Sequence, residues 1–236
     1  MKDKIFVSAI IVAAGNSTRM GFGYSKQLIE LNGKTVLERT ISNFSESKLT
    51  DEIILVCRNE DVEIFKNIIN SRIILNKSIK FVPGGNCRQK SVENGVKLSS
   101  EVSTHFVIHD CARPLITPDD IDNAIKKGIE LNSVVLGIPV IDTIKIIEDG
   151  RVKYTPDRST LRAIQTPQIF KKSIYIEALR VAESSNIEFT DDSLLLEHFG
   201  YSVYIIDGNV DNIKITSPKD IAVAEEILRR RVAENV

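Results

Sequence analysis

IFVSAIIV, residues Ile5 to Val12, runs without a break into AAGNSTRMGFGYSKQ, residues Ala13 to Gln27, and the fold turns on that junction. The first segment is apolar and rich in β-branched residues. It predicts a strand buried on both faces, as in a parallel α/β sheet. The second segment is then the loop at that strand's carboxyl end, where open α/β sheets bind their ligands. Gly15, Ser17 and Gly21 permit close backbone approach and offer N–H groups to an anion. Arg19 and Lys26 add two positive charges with no acidic residue between them. Polyphosphate suits this loop, although an ordinary glycine-containing strand-to-helix turn is the competing reading. The spacing matches neither the G-x-G-x-x-G dinucleotide fingerprint nor the G-x-x-x-x-G-K-[ST] P-loop.

Working outward, strand-like runs recur at Glu52 to Cys57, Ile79 to Val82, His105 to Ile108 and Val134 to Ile138, separated by segments of helical periodicity. This order predicts a mostly parallel sheet with helices on both faces. Thr117-Pro118-Asp119-Asp120 and Ser217-Pro218-Lys219-Asp220 each place a hydroxyl at N-cap, proline at N1 and acid in the first turn, and so mark two helix starts. The segment 139–167 breaks the rhythm. Its alternating residues around Asp149-Gly150 predict a hairpin, and hence a β-arm inserted into one domain spanning 1–236. An isolated hairpin is marginal in water, so a second subunit is a candidate for what it packs on.

The 236 residues carry a formal net charge of −1, which argues against a general nucleic-acid surface. Arg229 to Arg231 read as a helix end. The three cysteines, Cys57, Cys87 and Cys111, lack C-x-x-C spacing, so neither a disulfide framework nor a zinc site is expected and a reducing cytoplasm fits best. The charged start and apolar run at Met1 to Val12 superficially match a signal peptide, but a buried first strand is the better reading. No segment is expected to span a membrane.

Three further constellations fall at predicted strand ends. Gly84-Gly85-Asn86-Cys87-Arg88-Gln89-Lys90-Ser91 pairs a glycine turn with a helix start near Cys87; small residues there admit a flat base, with Ser91 in reach of base or ribose. In His109-Asp110-Cys111-Ala112-Arg113-Pro114, the Asp110 carboxylate among phosphates invites Mg²⁺, and Arg113 could grip a second phosphate; a plain Asp–Arg pair is the alternative. Lys214 stands between Ile213 and Ile215 just before a capped helix. The histidines are too scattered to suggest a metal cluster, and His109 is given no role.

Taken in order, AAGNSTRMG with Lys26-Gln27, GGNCRQKSVENG, HDCARP, PVIDTIK, DRSTLRAIQTPQIF, TDDSLLLE and DNIKITSPKDIAVAE resemble the 2-C-methyl-D-erythritol 4-phosphate cytidylyltransferases of the non-mevalonate isoprenoid pathway, almost end to end. The resemblance implies a Rossmann-like nucleotidyltransferase fold and a homodimer. It also implies a reaction of CTP with methylerythritol 4-phosphate, aided by Mg²⁺. It further implies that Ala13, Ala14, Gly15, Arg19 and Lys26 hold CTP, and that Gly85, Asn86 and Ser91 contact its cytidine. Asp110, Arg113 and Lys214 would organise phosphates and acceptor, with Asp110 and Asp211 as metal ligands and Thr166 as a further substrate contact. Asp142, Thr143 and Arg158 from a partner's arm would close over the acceptor. Arg19, Lys26, Lys214 and Arg158 are the expected catalytic groups.

The chain departs from the family pattern at Ser25, usually proline; at Cys111, usually alanine, which would set a thiol beside the phosphates; and at Arg162, commonly aromatic. The nearest rival reading is a cytidylyltransferase for another pentitol phosphate such as ribitol 5-phosphate. A non-catalytic nucleotide-binding protein on the same fold is the other, since fold alone does not fix function.

Overall fold

The computed structural model describes residues 4–15, 25–185, 189 and 191–234. In chain order the elements are β1 (Val7–Val12), β2 (Glu30–Leu31), β3 (Lys34–Thr35), α1 (Val36–Glu46), β4 (Glu52–Cys57), α2 (Val62–Arg72), β5 (Ser78–Pro83), α3 (Arg88–Leu98), β6 (His105–Asp110), α4 (Pro118–Leu131), β7 (Ser133–Pro139), β8 (Ile146–Glu148), β9 (Arg151–Tyr154), β10 (Arg162–Lys171), α5 (Lys172–Ser185), α6 (Asp192–His198), β11 (Tyr204–Asp207) and α7 (Pro218–Glu234).

Seven strands form the main sheet in the order β11-β7-β10-β6-β1-β4-β5. All pairings are parallel except those of β10, which runs antiparallel between β6 and β7. The chain moves outward from β1 to β4 and β5, then returns to lay β6 on the other side of β1. That reversal is a topological switch point, and it opens a crevice beyond the strand ends.

Side-chain alternation sends β1 into two cores. Val7, Ala9, Ile11 and Ala13 pack with Phe44 of α1, Phe65 of α2, Ile121 of α4 and Ile227 of α7. Ile10 packs instead with Val92 of α3, Tyr175 of α5 and Leu195 of α6. The sheet therefore has helices on both faces, as the sequence predicts. The first strand is buried from Val7 to Ile11, and no helix among the described residues is long and apolar enough to cross a membrane.

The helix starts also follow the sequence. Thr117 caps α4 through a reciprocal capping box with Asp120. At α7, Asp220 reaches back to accept the N–H groups of Thr216 at 2.8 Å and Ser217 at 2.7 Å.

The arm is shorter than expected. Residues 162–171 leave it to become β10, so the protruding part is 140–161. Pro167 hides this strand in the sequence, because proline donates no ladder hydrogen bond. The structure tolerates it at a register shift between Gln165 and Gln168, where Thr166-Pro167 is cis. The hairpin turn itself is as predicted, with both Asp149 (φ 48°) and Gly150 (φ 76°) left-handed, the requirement of a tight two-residue turn.

Candidate active site

A cleft of about 300 Å³ opens at the switch point, lined by Val12, Ala14, Gly15, Lys26, Gln27, Gly85, Asn86, Cys87, Arg88, Ser91, Asp110, Ala112 and Lys214. Lys26, Arg88 and Lys214 against Asp110 leave an excess of two positive charges among these residues. The cleft is electrostatically suited to a polyphosphate.

Each wall has a local cause. Val12 and Asp110 are register partners at the ends of β1 and β6, so the loop after β1 and the Asp110 carboxylate meet at one point. The glycine pair after β5 is sterically required: a Cβ on Gly84 would lie 2.3 Å from the Ala14 Cβ, and one on Gly85 would lie 2.4 Å from the Lys90 Cβ. Ser91 locks this turn, its hydroxyl accepting the Gly85 N–H at 3.0 Å and donating to the Cys87 carbonyl at 2.9 Å. The Lys26 Nζ reaches the Ile215 carbonyl at 3.4 Å, tying the first loop to the segment that carries Lys214.

Asp110 is the electrostatic centre. Lys214 Nζ sits 2.5 Å from its Oδ2 and Arg88 Nε 3.3 Å from its Oδ1. Burial works against its charge, but Arg88 and Lys214 outweigh burial and hold the carboxyl well below the usual carboxylate range. It is ionised at any physiological pH. The Asp110 N–H also donates to the Thr166 hydroxyl at 3.1 Å. That hydroxyl lies 3.1 Å from Nδ1 of His109 as well. Burial keeps the His109 imidazole neutral, with its pKa pushed down to about 3.

The expected residues thus separate. Ala14, Gly15, Lys26, Gly85, Asn86, Ser91, Asp110 and Lys214 line the cleft. Arg19 lies outside the described residues. Four expected residues lie off the lining of the cleft. Ala13 points the other way from Ala14, into the core, and its N–H is taken by the Val56 carbonyl at 2.7 Å. Arg113 does not line the cleft; its guanidinium donates to the carbonyls of Asn212 at 2.8 Å and Ile164 at 3.4 Å. Thr166 is buried behind Asp110 and orients that backbone. Asp211, expected as a second metal ligand, is held by Arg230 and Arg231 of α7 and is no part of the cleft's lining.

Asp142, Thr143 and Arg158 lie on the exposed arm, where the Arg158 Nη1 donates to the Ile141 carbonyl at 2.8 Å. Cys111 is wholly buried, and burial pushes its thiol up to about 12, so it is not the thiol beside the phosphates. Cys87, by contrast, lines the cleft and caps α3.

Arg88 escaped the sequence reading although a signal was present. It occupies the first position of α3, where the helix dipole disfavours a cation, so an anionic partner had to be near. There are two: besides Asp110, its Nη1 lies 2.6 Å from Asp192 Oδ2.

A glycine-walled cleft with fixed cations, at the switch point of a mostly parallel sheet, is the architecture of an α/β nucleotidyltransferase. The solved 4-diphosphocytidyl-2C-methyl-D-erythritol synthase of Anaerococcus prevotii DSM 20548 superposes with a TM-score of 0.85 at 35% identity, over 95% of this chain and 96% of that one. The 2-C-methyl-D-erythritol 4-phosphate cytidylyltransferase of Clostridioides difficile (strain 630) is 44% identical over 230 residues, covering 97% of this chain and 96% of its own. That of Caldanaerobacter subterraneus subsp. tengcongensis is 43% identical over 225 residues, covering 95% and 99%. The profile of the family described as IspD, 2-C-methyl-D-erythritol 4-phosphate cytidylyltransferase, matches residues 7–230, and the chain belongs to that family.

Proposed function

We propose that the cleft at the β1/β6 switch point is where this enzyme joins CTP to 2-C-methyl-D-erythritol 4-phosphate, releasing pyrophosphate, in isoprenoid precursor biosynthesis. The observation that carries the proposal is the fixed Lys214–Asp110–Arg88 cluster facing a glycine-walled slot. The slot bounded by Ala14, Gly84 and Gly85 takes the flat cytosine, with Asn86 and Ser91 along its edge. Lys26 and Arg19 hold the triphosphate.

No general base is needed. The acceptor's phosphate monoester has a second pKa of about 6 and is largely dianionic at neutral pH. One of its oxygens attacks the α-phosphorus of CTP in line, the bond to the β-phosphate bridging oxygen breaks, and pyrophosphate leaves. Catalysis is then positioning and charge stabilisation by donors already in place, with Lys214 set against the reacting phosphates.

The residues fit a Mg²⁺ ion in a sparse way. Among the described residues no group of three or more His, Cys, Asp or Glu could hold a metal alone. Magnesium associated with a nucleotide keeps several waters and takes only one or two carboxylates plus phosphate oxygens. Asp110, ionised and lining the cleft, would be that carboxylate; the ion would neutralise charge on the triphosphate.

The reading includes a homodimer. Ile141, Ile147, Val152 and Tyr154 are 83%, 66%, 60% and 54% exposed on the arm, apolar surface that a second copy would cover. Asp142, Thr143 and Arg158 of one copy would then close over the acceptor in the other. A reducing cytoplasm suits the three free thiols.

Pyrophosphate release with CTP and Mg²⁺ tests the reading, with methylerythritol 4-phosphate and ribitol 5-phosphate compared as acceptors. Strong preference for the former is expected. Preference for ribitol 5-phosphate would overturn the acceptor, and silence with both would overturn catalysis.

A further inference from the structure

Of the sequence motifs, the one containing Asp191-Asp192-Ser193 is left without a part in the reaction. Asp191 caps α6, accepting the Leu194 N–H at 3.0 Å and the side-chain amide of Gln168 at 2.9 Å, and so fixes the first residue of that helix, Asp192. The two oxygens of Asp192 then serve opposite directions. Oδ1 accepts the Tyr175 hydroxyl at 2.6 Å, while Oδ2 takes Arg88 Nη1 at 2.6 Å. Arg88 passes on to Asp110, and Asp110 to Lys214. An unbroken chain of donors and acceptors therefore runs from the hydrophobic core to the cleft.

Its inner end is rigid. Tyr175 is 1% exposed, stacked on Phe170 with ring centroids 5.4 Å apart and edge-on to Phe106 at 6.0 Å. Asp192 is 4% exposed, and a carboxylate buried that deeply recovers its desolvation cost only through well-made pairs. Arg88 gives Asp192 the shorter contact and Asp110 the longer one, 2.6 Å against 3.3 Å. The guanidinium is thus anchored from behind, not by the residue it presents to the cleft.

We infer that Asp192 and Tyr175 are positioning residues that act through Arg88, fixing its guanidinium plane and with it the orientation of Asp110 toward the triphosphate. The inference rests on the cleft being the CTP site, and binding can be read separately from turnover. Tyr175→Phe keeps the ring packing and removes one hydrogen bond; it is expected to weaken CTP binding or kcat about fivefold. Asp192→Asn removes a charged partner and is expected to cost on the order of 10²-fold.

The deciding experiment is a double-mutant comparison: CTP dissociation constants by calorimetry, with kcat and thermal midpoints, for each variant alone and combined with Arg88→Gln. Both effects on CTP should vanish in the Arg88→Gln background, while the loss of thermal midpoint from Tyr175→Phe persists there. Equal effects with and without Arg88, or unchanged CTP binding and kcat in the single variants, would overturn the inference. Should Asp192→Asn fail to fold, Tyr175→Phe decides alone. Wild-type protein that binds CTP but turns over neither acceptor would defeat the proposed reaction and leave this test intact.

Discussion

The cleft and the arm belong to one chain but are built on opposite principles. Around the cleft, groups are fixed several times over: the Asp110 carboxylate by two cations and its backbone N–H by the Thr166 hydroxyl, Ser91 by two partners, Arg88 by two carboxylates. On the arm, residues 141–155 are all exposed, and the bonds present, such as Lys145 to the Thr155 hydroxyl, are themselves at the surface. The cleft therefore needs only its own fold for its geometry, whereas the arm displays apolar surface that its own fold does not cover. Preorganised charge belongs to the first region, and in the proposed function recognition of a second copy belongs to the other.

The comparison breaks first at Lys214. Lys214→Ala should lower kcat by roughly 10²- to 10³-fold, as expected when one preorganised electrostatic contact is lost, without a change in oligomeric state. Steady-state kinetics beside a solution size measurement read both halves, and near-normal turnover would remove Lys214 from the reaction.

The arm should answer in the other currency. In Ile147→Asp with Val152→Asp, tenfold or more weaker self-association is expected, about the 1.4 kcal/mol that a factor of ten represents. Activity should fall at low protein concentration and return at high. Analytical ultracentrifugation at several concentrations measures this, and a wild-type protein that is monomeric at every concentration would end the account of the arm.

How much of this contrast was legible in sequence is itself instructive. The strand ends, both capped helices, the Asp149-Gly150 turn and the cleft positions Ala14, Gly15, Lys26, Gly85, Asn86, Ser91, Asp110 and Lys214 could be read, because each rests on local chemistry at a fixed spacing. Two departures from the expected positions came from parity. Successive residues at a strand end face opposite sides, so Ala14 enters the cleft while Ala13 enters the core, and Asp110 faces Arg88 while Cys111 turns toward Thr40 of α1. β10 was missed because Pro167 argues against a central strand. Asp211 sits off the cleft lining beside Arg230 and Arg231, partners that lie a whole helix further along the sequence.

Gly84 sharpens the picture of a crowded cleft wall. Gly84→Ala must move either Ala14 or the turn, at about 1–3 kcal/mol for overpacking, and should raise the CTP dissociation constant roughly tenfold while leaving the arm's self-association alone. Calorimetric titration with CTP is the check; unchanged affinity would mean that the base lies elsewhere.

Stability against pH separates the regions again. His109 has its folded pKa pushed down to about 3 from an ordinary value near 6.5, so the unfolded chain takes up a proton that the folded one refuses. Its contribution is intact above about pH 6.5 and is lost as pH falls toward 3, by up to roughly 1.4 kcal/mol per pH unit. Burial also lowers the pKa of His105, which adds to the slope in the upper part of that window. Denaturant melts of wild type and His109→Gln between pH 6.5 and 5 should differ by about one proton's slope. Parallel curves would show that His109 is protonated in the native state.

Thiol chemistry gives the smallest and most local effect. Alkylation should reach Cys87 first and be slowed by CTP, with buried Cys57 and Cys111 unreacted in the native state. Peptide mapping after timed alkylation reads this, and CTP-insensitive labelling of Cys87 would place the nucleotide away from the start of α3.

The central claim is direct transfer within the cleft, with no protein nucleophile, and the fate of α-³²P-labelled CTP tests it most directly. With methylerythritol 4-phosphate and Mg²⁺, the label should appear in the CDP-alcohol, none should remain on the protein after quenching, and Lys214→Ala should slow the transfer without changing its product. Label retained on the protein, or released as free CMP in place of the CDP-alcohol, would contradict the account.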